Sequence, residues 1–213
     1  MKTQCTEHPV IFSTPMVKSL QNNTKLMTRR ILKPQPTNHY FQSLVLHATG
    51  RYQFAPNDGN YSPTEKDILE VKCPYGKIGD LLYVRESYCP NYFDDHTPGY
   101  KADWNPPVSE YCNEPKWKPS IHMPKSAARI WLRIHNIRVE RLQDITEADA
   151  LKEGIEIVLN AQGQTRYKDY ASVITNWVKP TSSFQSLWAS FNGVDSWDEN
   201  PWIWVIEFER IDK

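Results

Sequence analysis

Between Ala128 and Leu142 the chain reads ARIWLRIHNIRVERL, its longest alternation of apolar and polar residues. Ile130, Leu132 and Ile134 fall on one parity, whereas Ile137 and Val139 fall on the other. Alternate side chains of a strand point to opposite faces, so the switch at His135-Asn136 demands an extra residue: a bulge, or a bend at a barrel corner. A second long strand is predicted at WIWVIEFERI, residues 202 to 211, with Trp204, Ile206 and Phe208 inward and Val205, Glu207 and Glu209 outward. Two such strands in a chain without βαβ periodicity predict an α+β domain built on a small, strongly bent sheet or barrel, with short helices outside it.

The other elements are shorter. HPVIFS (8 to 13) reads as a first strand. Thr14-Pro15 then supplies an N-cap and a first-turn proline for a helix with Met16, Val17 and Leu20 on its apolar face, ending near Asn22-Asn23. LLYVRES (81 to 87) reads as a strand, with Leu82, Val84 and Glu86 on one face. Thr146 caps a helix, with Asp149 as its capping-box partner, and Gly154 closes it. Phe184, Leu187, Trp188 and Phe191 follow helical spacing up to Gly193. Residues 33 to 78 and 88 to 127 look like long irregular insertions, of which only Tyr40 to His47 is strand-like. One elaborated domain over residues 1 to 213 is expected.

Lys and Arg total 25 and so do Asp and Glu, so diffuse attraction to nucleic acid is not the organising force and only a local cationic pocket is open. No two of Cys5, Cys73, Cys89 and Cys112 have zinc-ribbon or redox spacing. A zinc site from Cys89, His96 and Cys112 is conceivable, but free thiols are the better expectation, with no metal and no cofactor. MKTQCTEHPV lacks the apolar core of a signal peptide, and no window has the length of a membrane span. A cytoplasmic protein with no membrane partner is expected.

One cationic stretch stands out. TKLMTRRI (24 to 31) sets Lys25, Arg29 and Arg30 beside Leu26, Met27 and Ile31. Taken with its neighbours, in the order VIFSTPMVKSLQNNTKLMTRRI, GDLLYVRES, RIHNIRVERLQDITEADALKEGI and WIWVIEFERI, it resembles the ASCH domain, a PUA-like β-barrel, in the form found in phage and prophage proteins. The resemblance covers about half of the chain. It implies a cleft that handles RNA or nucleobases. One bacterial subset is an amidohydrolase that cleaves N4-acetylcytidine to cytidine and acetate with a Lys, a Thr and a Glu. By position these resemble Lys25, Thr28 and Glu153. A non-catalytic reader of RNA or of a modified base is the alternative, and a ribonuclease a weaker one; a modified nucleoside or RNA is the implied partner.

The chemistry suits those residue types. Amide hydrolysis needs a nucleophile, a base and oxyanion stabilisation. Thr28 would attack or orient a water. Lys25 would be the base if burial and the adjacent Arg29 and Arg30 lowered its pKa. Glu153 would orient Lys25 or return a proton to the leaving amine. Lys25 and Thr28 meet only if residues 24 to 28 form a turn or a distorted strand end. Substrate contacts are expected from Arg29, Arg30, Glu86, Tyr83 and His122, with Lys125 in the same cleft and Tyr88, Trp117 and Trp131 as further stacking surfaces. Against this stands a plain helix-to-strand junction whose arginines pair with Glu86 or Glu207.

Overall fold

The computed structural model describes residues 5–36, 40–46, 51–56, 69–92, 97–105, 115–172 and 176–213. Its first strands are β1 (Glu7–Ile11), β2 (Met27–Ile31), β3 (Tyr40–Leu46), β4 (Arg51–Pro56), β5 (Leu69–Lys72) and β6 (Leu81–Arg85). After them come β7 (Tyr88–Cys89), β8 (Gly99–Tyr100), β9 (Trp131–Arg141), β10 (Ile157–Leu159), β11 (Thr165–Lys168), β12 (Asn176–Trp177) and β13 (Trp202–Ile211). The helices are α1 (Thr14–Gln21), α2 (Glu147–Lys152) and α3 (Pro180–Asn192). The class is α+β, as the sequence predicts, with most of the regular structure in sheets.

A mixed five-stranded sheet in the order β1-β6-β9-β13-β2 organises the molecule. β1 runs parallel to β6, and the other pairs are antiparallel. Opposite β9, Glu207 faces Asn136 and Phe208 faces Ile134, which leaves His135 as the extra residue at the parity switch. The expected barrel closure is absent among the described residues. β1 and β2 remain the edges of an open sheet, joined by one hydrogen bond from Arg30 Nη2 to the Ile11 carbonyl at 2.6 Å.

Both faces of this sheet are covered near β13. On one face Trp204, Ile206 and Phe208 join Leu132, Ile134 and Val139 in the main core, with Val17 and Leu20 of α1. The segment expected to be an irregular insertion over 33 to 78 instead contributes a second sheet, β3-β4-β5. Its Tyr52 ring lies edge-on to Trp204 at 4.8 Å, and its hydroxyl donates to the Ile137 carbonyl at 2.9 Å. Phe54 meets Trp202 in the same manner at 5.3 Å. The tail of the predicted strand, His47, lies outside the described residues.

On the other face Val205, expected outward, is fully buried. With Met27 and Ile203 it packs against Phe184, Leu187 and Trp188 of α3 and Ala150 of α2, flanked by the small sheet β10-β11-β12, which has no strong sequence signal. A helix pair on the second face removes the polar-out alternation a half-exposed strand would keep. Trp204, 2% exposed, anchors the first core. Trp204→Ala should lower unfolding free energy by about 3–5 kcal/mol in a denaturant titration; an unmoved midpoint would contradict this packing. No helix among the described residues is long and apolar enough to cross a membrane.

Candidate active site

Lys25 reaches its position through a tight turn after α1. Asn23 adopts a left-handed conformation (φ 55°), and the amides of Thr24 and Lys25 both donate to the Ser19 carbonyl at 2.9 and 3.1 Å. The chain then meets the end of α2. Lys25 forms an isolated antiparallel bridge with Glu153, and the Leu26 amide donates to the Lys152 carbonyl at 2.7 Å. This approach requires Gly154. Its φ of +82° is left-handed, and an added Cβ would lie 2.9 Å from Lys25 Cβ and 3.0 Å from Ser19 Cβ. Gly154→Ala should therefore destabilise the protein by about 1–3 kcal/mol and displace Lys25; unchanged thermal stability would refute the close approach.

Of the predicted Lys, Thr and Glu, Lys25 and Glu153 meet directly, and Thr28 borders the same cavity as Glu153. Lys25 Nζ, fully buried, donates to both the main-chain oxygen and Oε2 of Glu153 at 2.8 Å. Arg29 Nη1 takes the other carboxylate oxygen at 3.2 Å. Thr28 is 2% exposed and borders a cavity of about 690 Å³, together with Glu153, Arg29 and Arg30. Lys25 Nζ and Arg30 Cζ lie over the same Phe12 ring, at 5.6 and 5.2 Å. Thr28 shares the Arg30 face of β2, since residues two apart on a strand point the same way. The Lys25 ammonium thus reaches the ring that Arg30 also covers, while its partner Glu153 is shared with Arg29. The distortion at residues 23 to 26 is what permits this reach.

Behind this junction lies a balanced ion network. Arg29 Nη2 contacts Asp149 at 2.9 Å and Glu140 at 3.6 Å; Arg138 contacts Asp149 at 2.6 Å and also pairs with Glu140 and Glu207, and Lys152 meets Glu207 at 3.5 Å. The cations Lys25, Arg29, Arg138 and Lys152 face the carboxylates of Glu153, Asp149, Glu140 and Glu207. Arg30 is outside this balance. Its polar contact is the Ile11 carbonyl, and no described carboxylate lies within ion-pair distance of it. Burial pulls the Lys25 ammonium below the ordinary lysine value, with Arg30 and Arg29 adding to the effect and Glu153 opposing it. Burial likewise lowers Arg30.

Other sequence-predicted contacts lie elsewhere. Glu86 is buried but binds Arg129, through Nε at 2.9 Å and Nη2 at 3.1 Å, instead of Arg29 or Arg30. Arg129 stacks over Tyr100 at 3.9 Å and also pairs with Asp103, so a local cluster absorbs the carboxylate. Burial raises the Glu86 pKa, against the pull of Arg129. Tyr83 packs on Trp131 at 5.8 Å, with Lys125 over its ring, and does not border the cavity. His122 sits exposed in the short helical turn Ser120–His122, where its carbonyl accepts from Tyr88. Trp117 stacks on Tyr92. Neither Arg29 nor Arg30 pairs with Glu207, which Arg138 holds. Of the conceivable zinc ligands, Cys89 is a free thiol, and His96 and Cys112 fall outside the described residues. Among the described residues, no three His, Cys, Asp or Glu side chains gather as metal ligands.

Two features escape sequence reasoning. Asp149 and Glu140 hold Arg29, although the i, i+4 spacing of Asp149 and Glu153 is a legible sign of two carboxylates on one helix face. Phe184, Leu187, Trp188 and Phe191, read as core, also wall the cavity, and Phe191 is 53% exposed. No known protein family, curated protein or solved structure matches the chain.

Proposed function

We propose that this cavity is the active site of a metal-independent amidohydrolase that removes the acyl group from N4-acylated cytidine or cytosine, carried on a PUA-like, ASCH-type bent sheet. The observation that carries the reading is the buried Lys25–Glu153 pair, whose Glu153 borders the same cavity as Thr28. In its neutral form the Lys25 amine has two N–H bonds, and Glu153 offers two acceptors at 2.8 Å. The nitrogen lone pair is then left for a proton from the nucleophile.

In the forward step Thr28 Oγ1 adds to the acyl carbonyl carbon while its proton passes to Lys25 Nζ. The tetrahedral oxyanion collapses, the bond to N4 breaks, and N4 takes the proton back from Lys25. Water then hydrolyses the threonyl ester by the same relay, releasing the carboxylate and restoring Thr28. Glu153, with both oxygens engaged by cations, orients Lys25 and compensates the ammonium as it forms. It is not the proton donor to the leaving amine.

Thr28→Ala should abolish release of acetate from N4-acetylcytidine, whereas Thr28→Ser, which keeps the hydroxyl, should retain it. Equal rates in wild type and Thr28→Ala would remove Thr28 as nucleophile. The rate should also climb with pH and level off above the Lys25 pKa, below the ordinary lysine value of 10.5. A bell centred on a carboxylate pKa would contradict Lys25 as base. A non-catalytic reader of RNA or a modified base is the second reading. It is favoured by one observation, the exposed Phe191 ring on the wall of a cavity that also contains Arg30.

A further inference from the structure

Seven buried polar side-chain atoms of the described residues have no hydrogen-bond partner, and four of them belong to residues that line this one cavity: Ser13 Oγ, Arg29 Nε, Arg30 Nε and Trp188 Nε1. Three of the four are obligate donors, and the serine hydroxyl is a donor as well. Orphaned buried polar groups are rare in folded proteins because each forfeits its hydration. Their concentration around one cavity, each able to donate, calls for a ligand rich in acceptors. Trp188 is itself 5% exposed, so its indole N–H has no recourse to bulk water.

The charge distribution agrees. Arg29 is neutralised by three carboxylates, but among the described residues the polar contact of Arg30 is a main-chain carbonyl. An arginine on a cavity wall without a described counter-ion is costly unless an anion binds there. Beside it, α1 begins at Ser13, whose side chain makes no capping hydrogen bond, and its first turn holds no acidic residue. The partial positive charge of a helix start favours a phosphate, although Pro15 in this first turn has no N–H to donate. Ser13 and Thr14 both border the cavity, which at about 690 Å³ falls within the range of small-ligand sites.

We propose that the cavity seats a phosphate monoester between Arg30 and the first turn of α1 at Ser13 and Thr14, so that its substrate is a nucleotide in preference to a free nucleoside. This rests on the hydrolase reading of the same site for the identity of the base, but the phosphate subsite stands on the orphaned donors and Arg30. Arg30 and Ser13 then determine specificity, distinct from the Lys25 and Thr28 chemistry.

Calorimetric titration tests it without turnover. Cytidine 5′-monophosphate should bind at least about tenfold more tightly than cytidine, the size of one charge-assisted contact. Inorganic phosphate should compete with the nucleotide and not with cytidine. Arg30→Gln should bring the affinity ratio close to one, and Ser13→Ala should lower it. If Arg30→Gln does not fold, Arg30→Lys serves, with a reduced ratio expected because the planar fork is lost. Equal affinities for cytidine and its monophosphate, or a ratio indifferent to both Arg30 variants, would overturn the proposal. So would tighter binding of an internal cytidine in an oligonucleotide, since a phosphodiester would then be the ligand. Failures of the two readings differ. Preferential nucleotide binding without cleavage of any N4-acylated cytidine removes the hydrolase and keeps the phosphate subsite. Cleavage of N4-acetylcytidine and its 5′-monophosphate with equal kcat/KM does the reverse.

Discussion

Lys25→Met is expected to reduce N4-acetylcytidine turnover by about 10²–10⁴-fold, the usual contribution of a general base, in a protein that still folds. Methionine fills the lysine stem against Phe12, while Arg29 continues to pair with Glu153 at 3.2 Å. The main-chain bridge between residues 25 and 153 does not depend on the side chain. Lys25→Arg is the sharper companion. It keeps a cation next to Glu153 but not one that can lose its proton near neutral pH. If Lys25 is only a structural counter-ion, Lys25→Arg keeps activity; if it is the base, both variants are inactive although only one has lost the charge. Comparable kcat/KM in Lys25→Arg and wild type would contradict the proposed relay.

Glu153→Ala should cause the second large effect, on stability. Removing this carboxylate strands Lys25, whose side chain is 0% exposed, while Arg29 keeps Asp149 and Glu140. Breaking a buried pair in this way costs about 3–5 kcal/mol, readable as a shift in the denaturant midpoint. The pH dependence follows from the sign of the Lys25 shift. Its folded pKa lies below its unfolded value of 10.5, so between the two the unfolded chain holds more protons. Stability therefore rises with pH across that window and declines as pH falls through it. Without Glu153, the group opposing the shift is gone, so the window widens toward lower pH. A midpoint unchanged from wild type would mean that Glu153 is not the counter-ion of Lys25.

The legible parts of this protein were those fixed by local spacing. The parity switch at His135, the Thr146 cap, which accepts from the Asp149 amide at 3.1 Å, and the Gly193 stop after α3 each follow from one residue and its neighbours. The meeting of Lys25 with Glu153, separated by 128 residues, was reached only through the order of motifs, because no local pattern encodes it. Asp149 illustrates what hides such partners. As a capping-box residue its carboxylate should turn back toward the helix start, yet it is drawn to Arg29 and Arg138. Glu86 fails differently. Its parity with Leu82 and Val84 suggests a place in the cleft with Arg29 or Arg30, but Arg129, far along the chain, claims it. The alternation of β13 predicted an exposed Val205 because the covering helices α2 and α3 leave no mark in the strand itself. Phe191 shows the converse, since an apolar helical stripe cannot by itself tell core from cavity wall.

The most direct measurement is a single-turnover incubation of N4-acetylcytidine with excess protein, following cytidine and acetate by chromatography. Stoichiometric appearance of both products, with a transient acetyl adduct on Thr28 in the mass spectrum, is the expected result. Intact substrate after prolonged incubation with folded protein would show that the buried Lys25–Glu153 pair and Thr28 serve no hydrolysis.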